Sequence, residues 1–114
     1  MRSHDQDLRG PAVTGVEARS DGVVIRLAGE LDLYNADEVR SALADAVQQK
    51  PQRLMLDLTD VAFIDSTTLG AMIDARRKLE NKDGFVLCAP AIDVRRALEI
   101  SGLDRHFTVL DSCD

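Results

Sequence analysis

The sequence predicts an α/β domain: an open, mostly parallel β-sheet that starts with an antiparallel hairpin and is flanked by helices, in the order β-β-α-β-α-β-α-β. Three observations carry this. Residues 13–18 and 23–28 are apolar β-type runs separated by Ser20, Asp21 and Gly22, a connection too short to cross over to a parallel neighbour. After them, strand-like and helix-spaced stretches alternate, which implies right-handed crossovers and parallel pairing. Finally, Phe85, Val86, Leu87 and Cys88 form a continuously apolar run, as expected of a strand flanked and covered by neighbours.

The hairpin's first strand carries Val13, Thr14, Val16 and Ala18, and the return strand is VVIRLA, residues 23–28. Residues 29–34 then form a loop. Asn35 with Glu38 three residues on has the form of a capping box, and Val39, Ala42, Leu43, Ala46 and Val47 line one face of the first helix, which ends near Lys50 and Pro51 because proline disfavours helical geometry in the residue before it. Residues 54–58 make the third strand, Thr59 and Asp60 a short turn, and residues 61–64 a second apolar patch. Asp65, Ser66, Thr67 and Thr68 stand where helical spacing begins, with Leu69, Met72, Ile73 and Leu79 following on one side. That helix stops at residues 81–84. The last helix carries Ile92, Val94, Ala97 and Leu98, with Gly102 suited to the left-handed position after it, and residues 107–110 form the final strand.

Composition bounds the chemistry. With 114 residues the chain has one core, and 45% hydrophobic with 30% charged residues excludes disorder as the default. Residues 1–12 read as a flexible leader, 13–110 as a single domain and 111–114 as a frayed tail. A formal charge of −6 argues against nucleic acid as a partner, since that affinity rests on clustered Lys and Arg. There is no apolar run long enough for direct membrane insertion, and the first residues lack the apolar core of a signal peptide. Cys88 and Cys113 match neither a disulfide framework nor a metal site by number or spacing. The expected compartment is therefore reducing and cytoplasmic.

In parallel sheets functional groups gather beyond the carboxyl ends of the strands, which here selects residues 29–34, 59–68 and 89–92. At the second of these, four small polar side chains open a helix, where unpaired backbone N–H groups and the dipole favour a negative group. A phosphate on Ser66 would be well placed. Plain N-capping is the simpler role for Asp, Ser and Thr at such a position. Glu30, Asp32, Asp57, Asp60 and Asp65 lie near this edge, and from residue 30 to 65 eight acids (Glu30, Asp32, Asp37, Glu38, Asp45, Asp57, Asp60, Asp65) face three bases (Arg40, Lys50, Arg53). That imbalance favours a basic partner. Arg76, Arg77, Lys78, Arg95 and Arg96 read as solvated faces.

Enzymatic chemistry finds little support. No GxxxxGK[ST] or GxGxxG stretch is present, so neither a nucleotide cofactor nor a kinase activity is expected. GxSxG is absent around Ser66, and the histidines are His4 in the leader and His106 before the last strand, a poor basis for a triad. A phospho-accepting receiver would need converging carboxylates for Mg²⁺ and a lysine late in the sheet, whereas the lysines are Lys50, Lys78 and Lys82. No cofactor and no metal are expected.

Three segments taken together, GELDL (residues 29–33), LDLTDVAFIDSTTLG (56–70) and RRALEISGLDRHFTV (95–109), resemble the STAS family of sulphate-transporter and anti-sigma-factor-antagonist domains, and more narrowly its stand-alone bacterial antagonists. The resemblance spans residues 13–110. It implies a STAS-like fold and a non-enzymatic regulator that binds an anti-sigma factor, itself a serine kinase, and so frees the sigma factor. In that family the serine after the strand-end Asp is phosphorylated, which cancels docking, and a metal-dependent phosphatase restores it. Carried over, the phosphorylated residue is Ser66, with Glu30, Asp32, Asp65, Thr67 and Thr68 as partner contacts. The family often has glycine where Thr68 stands, so Thr68 is expected to alter kinase approach or to offer a competing acceptor. The alternative implied by the same family is a scaffold or subunit of an ATP-binding-cassette transport complex, with Ser66 and Thr67 as caps.

Overall fold

The structure is a computed structural model that describes residues 10–113; residues 1–9 and 114, and with them most of the expected leader and His4, lie outside the described residues. The expected element order is present: β1 (Val13–Arg19), β2 (Gly22–Leu31), α1 (Ala36–Gln48), β3 (Arg53–Ile64), α2 (Ser66–Lys78), β4 (Phe85–Cys88), α3 (Ile92–Ser101) and β5 (Thr108–Leu110), with 3-10 turns at Lys82–Gly84 and Leu103–Arg105. The sheet runs β1-β2-β3-β4-β5. β1 is antiparallel to β2, and each later pair is parallel.

This sequential order decides where the helices lie. Crossovers of one hand that step the same way across a sheet place every helix on the same face. Val39 and Leu43 of α1, Leu69 and Met72 of α2, and Val94 and Leu98 of α3 accordingly share one core with Ile25, Leu27, Leu54, Leu56, Phe85 and Leu87. The alternate strand residues point the other way, so Val24, Met55, Val86 and Cys88 form a second cluster on the face that is helix-free among the described residues, with Cys113 packed against it. Burial on both faces is why residues 85–88 read as continuously apolar.

Several boundaries differ from expectation. Ala12, assigned to the leader, is in the core, and its carbonyl accepts from the Ala28 N–H at 2.9 Å. β3 does not turn at Thr59 and Asp60. Between the pairs Arg26↔Asp57 and Ala28↔Asp60, β3 advances three residues while β2 advances two, and it gains a second extra residue between Gly29↔Val61 and Glu30↔Phe63. These are bulges. The Asp57 Oδ1 accepts from the Thr59 N–H at 3.0 Å and Oγ1 at 2.6 Å, supplying the first bulge with a local partner. β2 likewise runs on through residues 29–31, with Gly29 at φ 82, a conformation glycine adopts without the Cβ penalty.

The capping box does not form. Asn35 caps nothing with its side chain, because its Oδ1 accepts from the Asp32 N–H and its Nδ2 donates to the Glu30 carbonyl. Glu38 instead accepts from the Val13 N–H at 2.8 Å. α2 ends at Lys78, earlier than expected, since Leu79 turns into the core at 3% exposure and the Lys82 Nζ collects the carbonyls of Arg77 and Leu79. Gly102 does take the left-handed position, at φ 76. Phe107 precedes β5 and lies with its ring 5.5 Å from that of Phe85.

The segment after β5 is not frayed. Asp111 pairs with Arg95 at 2.7 Å, and Cys113 forms a disulfide with Cys88, contrary to the expectation that the number and spacing of the cysteines support no disulfide framework. They are 25 residues apart in sequence, but β5 lies beside β4, so a short return brings residue 113 onto the helix-free face. Spacing along the chain carried no sign of that adjacency.

Candidate functional site

The polar junction at residue 65 forms as a capped helix start. Asp65 has extended backbone geometry, and its Oδ1 accepts from the Thr68 N–H at 3.0 Å, satisfying one of the unpaired donors of the first turn. Its own N–H donates to the Leu31 carbonyl at 3.0 Å, which ties the start of α2 to the carboxyl end of β2. Ser66 is the first helical residue and is exposed. Its hydroxyl therefore stands in solvent at the positive end of a 13-residue helix, where an anion is favoured.

The neighbouring residues follow from sheet register. Glu30 pairs with Phe63 and Leu31 with Ile64, so Glu30 is beside the strand that leads into Ser66. Asp32 accepts from the Tyr34 N–H at 3.0 Å, and with the Asn35 bonds this fixes the turn after β2. The turn holds Leu33 at 69% and Tyr34 at 71% exposure, and Phe63 at the end of β3 is 51% exposed. Ile92, opening α3 at the same edge of the sheet, is also exposed. Leu33, Tyr34, Phe63 and Ile92 are thus large apolar side chains left in solvent at the end of the sheet that carries Ser66. The depression of about 310 Å³ bordered by residues 18–23 and 49–52 lies at the opposite end of the strands.

Of the residues expected at the site, Glu30 and Ser66 are exposed, while Asp32, Asp65 and Thr67 are half-buried. Thr68 departs from its expected role as a partner contact or competing acceptor: it is 0% exposed, and its Oγ1 has no hydrogen-bond partner. Two positions along a helix turn through about 200°, so Ser66 facing out sends Thr68 in. Asp57 and Asp60 are inside β3 and not in a loop. Asp57 is engaged by Thr59 and lies 3.8 Å from the Arg26 Nε. Its carboxylate and the two cysteine sulfurs lie within 4.8 Å of one another, but joined as a disulfide the sulfurs are not the thiolates a metal takes.

Sequence reasoning missed Leu33, Tyr34 and Phe63. The available signal was an apolar pair inside a polar turn, matching neither a helical nor a strand period, and a Phe next to the core-facing Ile64.

A family model for the STAS domain matches residues 15–114. The chain belongs to the STAS domain family. It is 35% identical over 88 residues to an anti-sigma-B factor antagonist of Listeria monocytogenes, covering 76% of this chain and 77% of the relative. An anti-sigma factor antagonist of Mycobacterium paratuberculosis superimposes with a TM-score of 0.81 at 29% identity, over 88% of this chain and 86% of that one. The anti-sigma factor antagonist SpoIIAA of Bacillus, 28% identical, matches in its unphosphorylated form with a TM-score of 0.70 over 83% of this chain and 85% of that one. Its phosphorylated form matches at 0.62, over 83% and 88%.

Proposed function

We propose that this STAS domain is an anti-sigma factor antagonist with no catalytic activity of its own, docking through the edge that carries Ser66 on an anti-sigma factor that is also a serine kinase. The observation that carries the reading is the Ser66 hydroxyl, exposed at the first position of α2 directly after a capping Asp65. A kinase has access to it. The exposed apolar side chains of Leu33, Tyr34 and Phe63 supply a desolvated contact, and the acidic surroundings of Glu30, Asp32 and Asp65 complement a basic rim with Thr67 beside them.

Phosphorylation of Ser66 adds close to two negative charges beside Asp65. A site that accepts a neutral hydroxyl then loses the complex through repulsion and desolvation, while the helix N-terminus holds the phosphate without refolding the domain. Support for such a switch comes from the relative solved in both phosphorylated and unphosphorylated forms. A metal-dependent serine phosphatase resets it, and the cycle runs in the cytoplasm.

Incubation with the anti-sigma kinase and ATP, followed by peptide mass spectrometry, should place phosphate on Ser66. Ser66→Asp should weaken the complex by at least about tenfold, the scale of a 1.4 kcal/mol repulsion, with Ser66→Ala binding as the wild type. Phosphate found elsewhere, or undiminished binding by Ser66→Asp, would overturn the reading. The amide spectrum should change only around residues 63–69 on phosphorylation.

A further inference from the structure

The Cys88–Cys113 pair belongs to no part of the Ser66 edge. It lies on the helix-free face. Cys88 is 0% exposed at the end of β4, packed with Val24, Met55 and Val86, whereas Cys113 is half-exposed in the segment after β5. Disulfides that serve as fixed staples suit oxidising compartments, and those inside a reducing one are characteristically transient or redox-sensing.

We propose that Cys88 and Cys113 form a reversible thiol-exchange site: as a disulfide they clamp residues 111–113 to the end of β4, and as a dithiol pair they release them. The inference goes beyond the antagonist reading and rests on it for one premise, the reducing cytoplasm in which that cycle runs.

The geometry gives the exchange a direction. A dithiol reductant reaches Cys113 and not the enclosed Cys88. Its thiolate bonds to the Cys113 Sγ as the Sγ–Sγ bond breaks, and Cys88 leaves as a thiolate that takes a proton. The second thiol of the reductant then attacks the mixed disulfide, Cys113 departs as a protonated thiol, and the reductant leaves as its own disulfide. Two electrons and two protons have moved to the pair. Cys88 is enclosed among apolar side chains, with the Asp57 carboxylate close by. The Leu56 carbonyl, 3.5 Å from the Cys88 Sγ, is placed to receive the new S–H. Each redox state thus has a satisfied arrangement, and the same steps in reverse, driven by an oxidised dithiol, restore the bond.

The clamp borders the docking edge. Cys88 precedes Ala89, which is held at φ 56, a left-handed conformation costly for a residue with a Cβ. Ala89 donates to the Leu110 carbonyl at 2.8 Å, and Arg95 of α3 holds Asp111. Release of residues 111–113 removes the Arg95–Asp111 tie from α3, while the bond from Ala89 to Leu110, inside β5, stays.

The test uses the full chain, labelled with ¹⁵N, in three forms: oxidised, treated with dithiothreitol, and Cys113→Ser without reductant. Alkylation and intact mass should show no reactive thiol in the oxidised form and two after dithiothreitol, reversed by oxidised glutathione. Backbone order parameters at residues 111–113 should fall from about 0.85 to below about 0.6 on reduction, with amide shifts at residues 88–92 and 108–113 and none in α1 or α2. Cys113→Ser should match the reduced form. Two free thiols surviving in oxidised glutathione, unchanged order at 111–113, or unfolding of the whole domain on reduction would each overturn the proposal.

Discussion

Ser66, Thr67 and Thr68 illustrate what a linear string of like residues hides. The three read as one hydroxyl cluster, yet a helix turns about 100° per residue, so they end exposed, half-buried and buried in turn. Which one faces water depends on where the helix starts, and that was set by Asp65 taking the capping position. Thr68 pays for this register with a hydroxyl that is enclosed and unpartnered, a desolvation cost of about 1–3 kcal/mol. Thr68→Val keeps the branched shape and removes the oxygen, so it should raise stability by about 1 kcal/mol. Thr68→Gly, the residue usual in the family, also removes the oxygen but gives up the packed methyl and about 1 kcal/mol of helix propensity, and should be less stable than Thr68→Val. Urea midpoints of the three proteins check the order. A Thr68→Val protein less stable than the wild type would mean that the hydroxyl has a bonding partner after all.

Elements with their own local signal were legible, and those whose ends depend on neighbours were not. The hairpin, β4 and the Gly102 stop of α3 follow from turn chemistry and from apolar runs. β3 did not, because its bulges arise from pairing with β2, and Thr59 and Asp60 look like a turn until that pairing is known. Asn35 failed similarly: its amide is taken by Asp32 and Glu30 across the turn, a better-defined pair of bonds than the cap. The hairpin carries a charge chain on its helix-free side, with the Arg26 Nη2 donating to Glu17 at 2.7 Å and its Nε 3.8 Å from Asp57. The hydrogen bond from Arg26, and then that from Arg19, lower the Glu17 pKa below 4.5, while Glu17 raises that of Arg26. A carboxylate with a depressed folded pKa contributes stability that is complete above its unfolded value and is lost as pH falls through the folded one. Glu17→Gln should therefore lie slightly below the wild type near pH 7, and the gap should close progressively below pH 4.5. Because the pair is exposed, the gap should also shrink in 1 M salt. Chemical denaturation across that pH range reads it, and a gap that widens towards acid would contradict the assignment.

At the scale of the whole molecule, sequential strand order with crossovers of one hand leaves one sheet face without helices among the described residues, and the disulfide is placed there. Neither fact was available from residue types alone: the pairing of Cys88 with Cys113 needs β5 beside β4, and the helix-free face needs the order of all five strands. The ring closed by the disulfide encloses α3 and β5. Closing a loop of 25 residues restricts the unfolded chain enough to stabilise the fold by about 3 kcal/mol. A domain of this size has about 5–15 kcal/mol in total, so the reduced protein should remain folded but lose a substantial share. Since the main core on the helix side contains neither cysteine, its packing should survive reduction. Thermal unfolding in dithiothreitol should shift down by about 10–25 °C, equally at every protein concentration, and Cys113→Ser should show the same shift without reductant. Equal midpoints for oxidised and reduced protein would mean that the unfolded chain is already confined over this stretch and that the bond adds nothing to the stability of the domain.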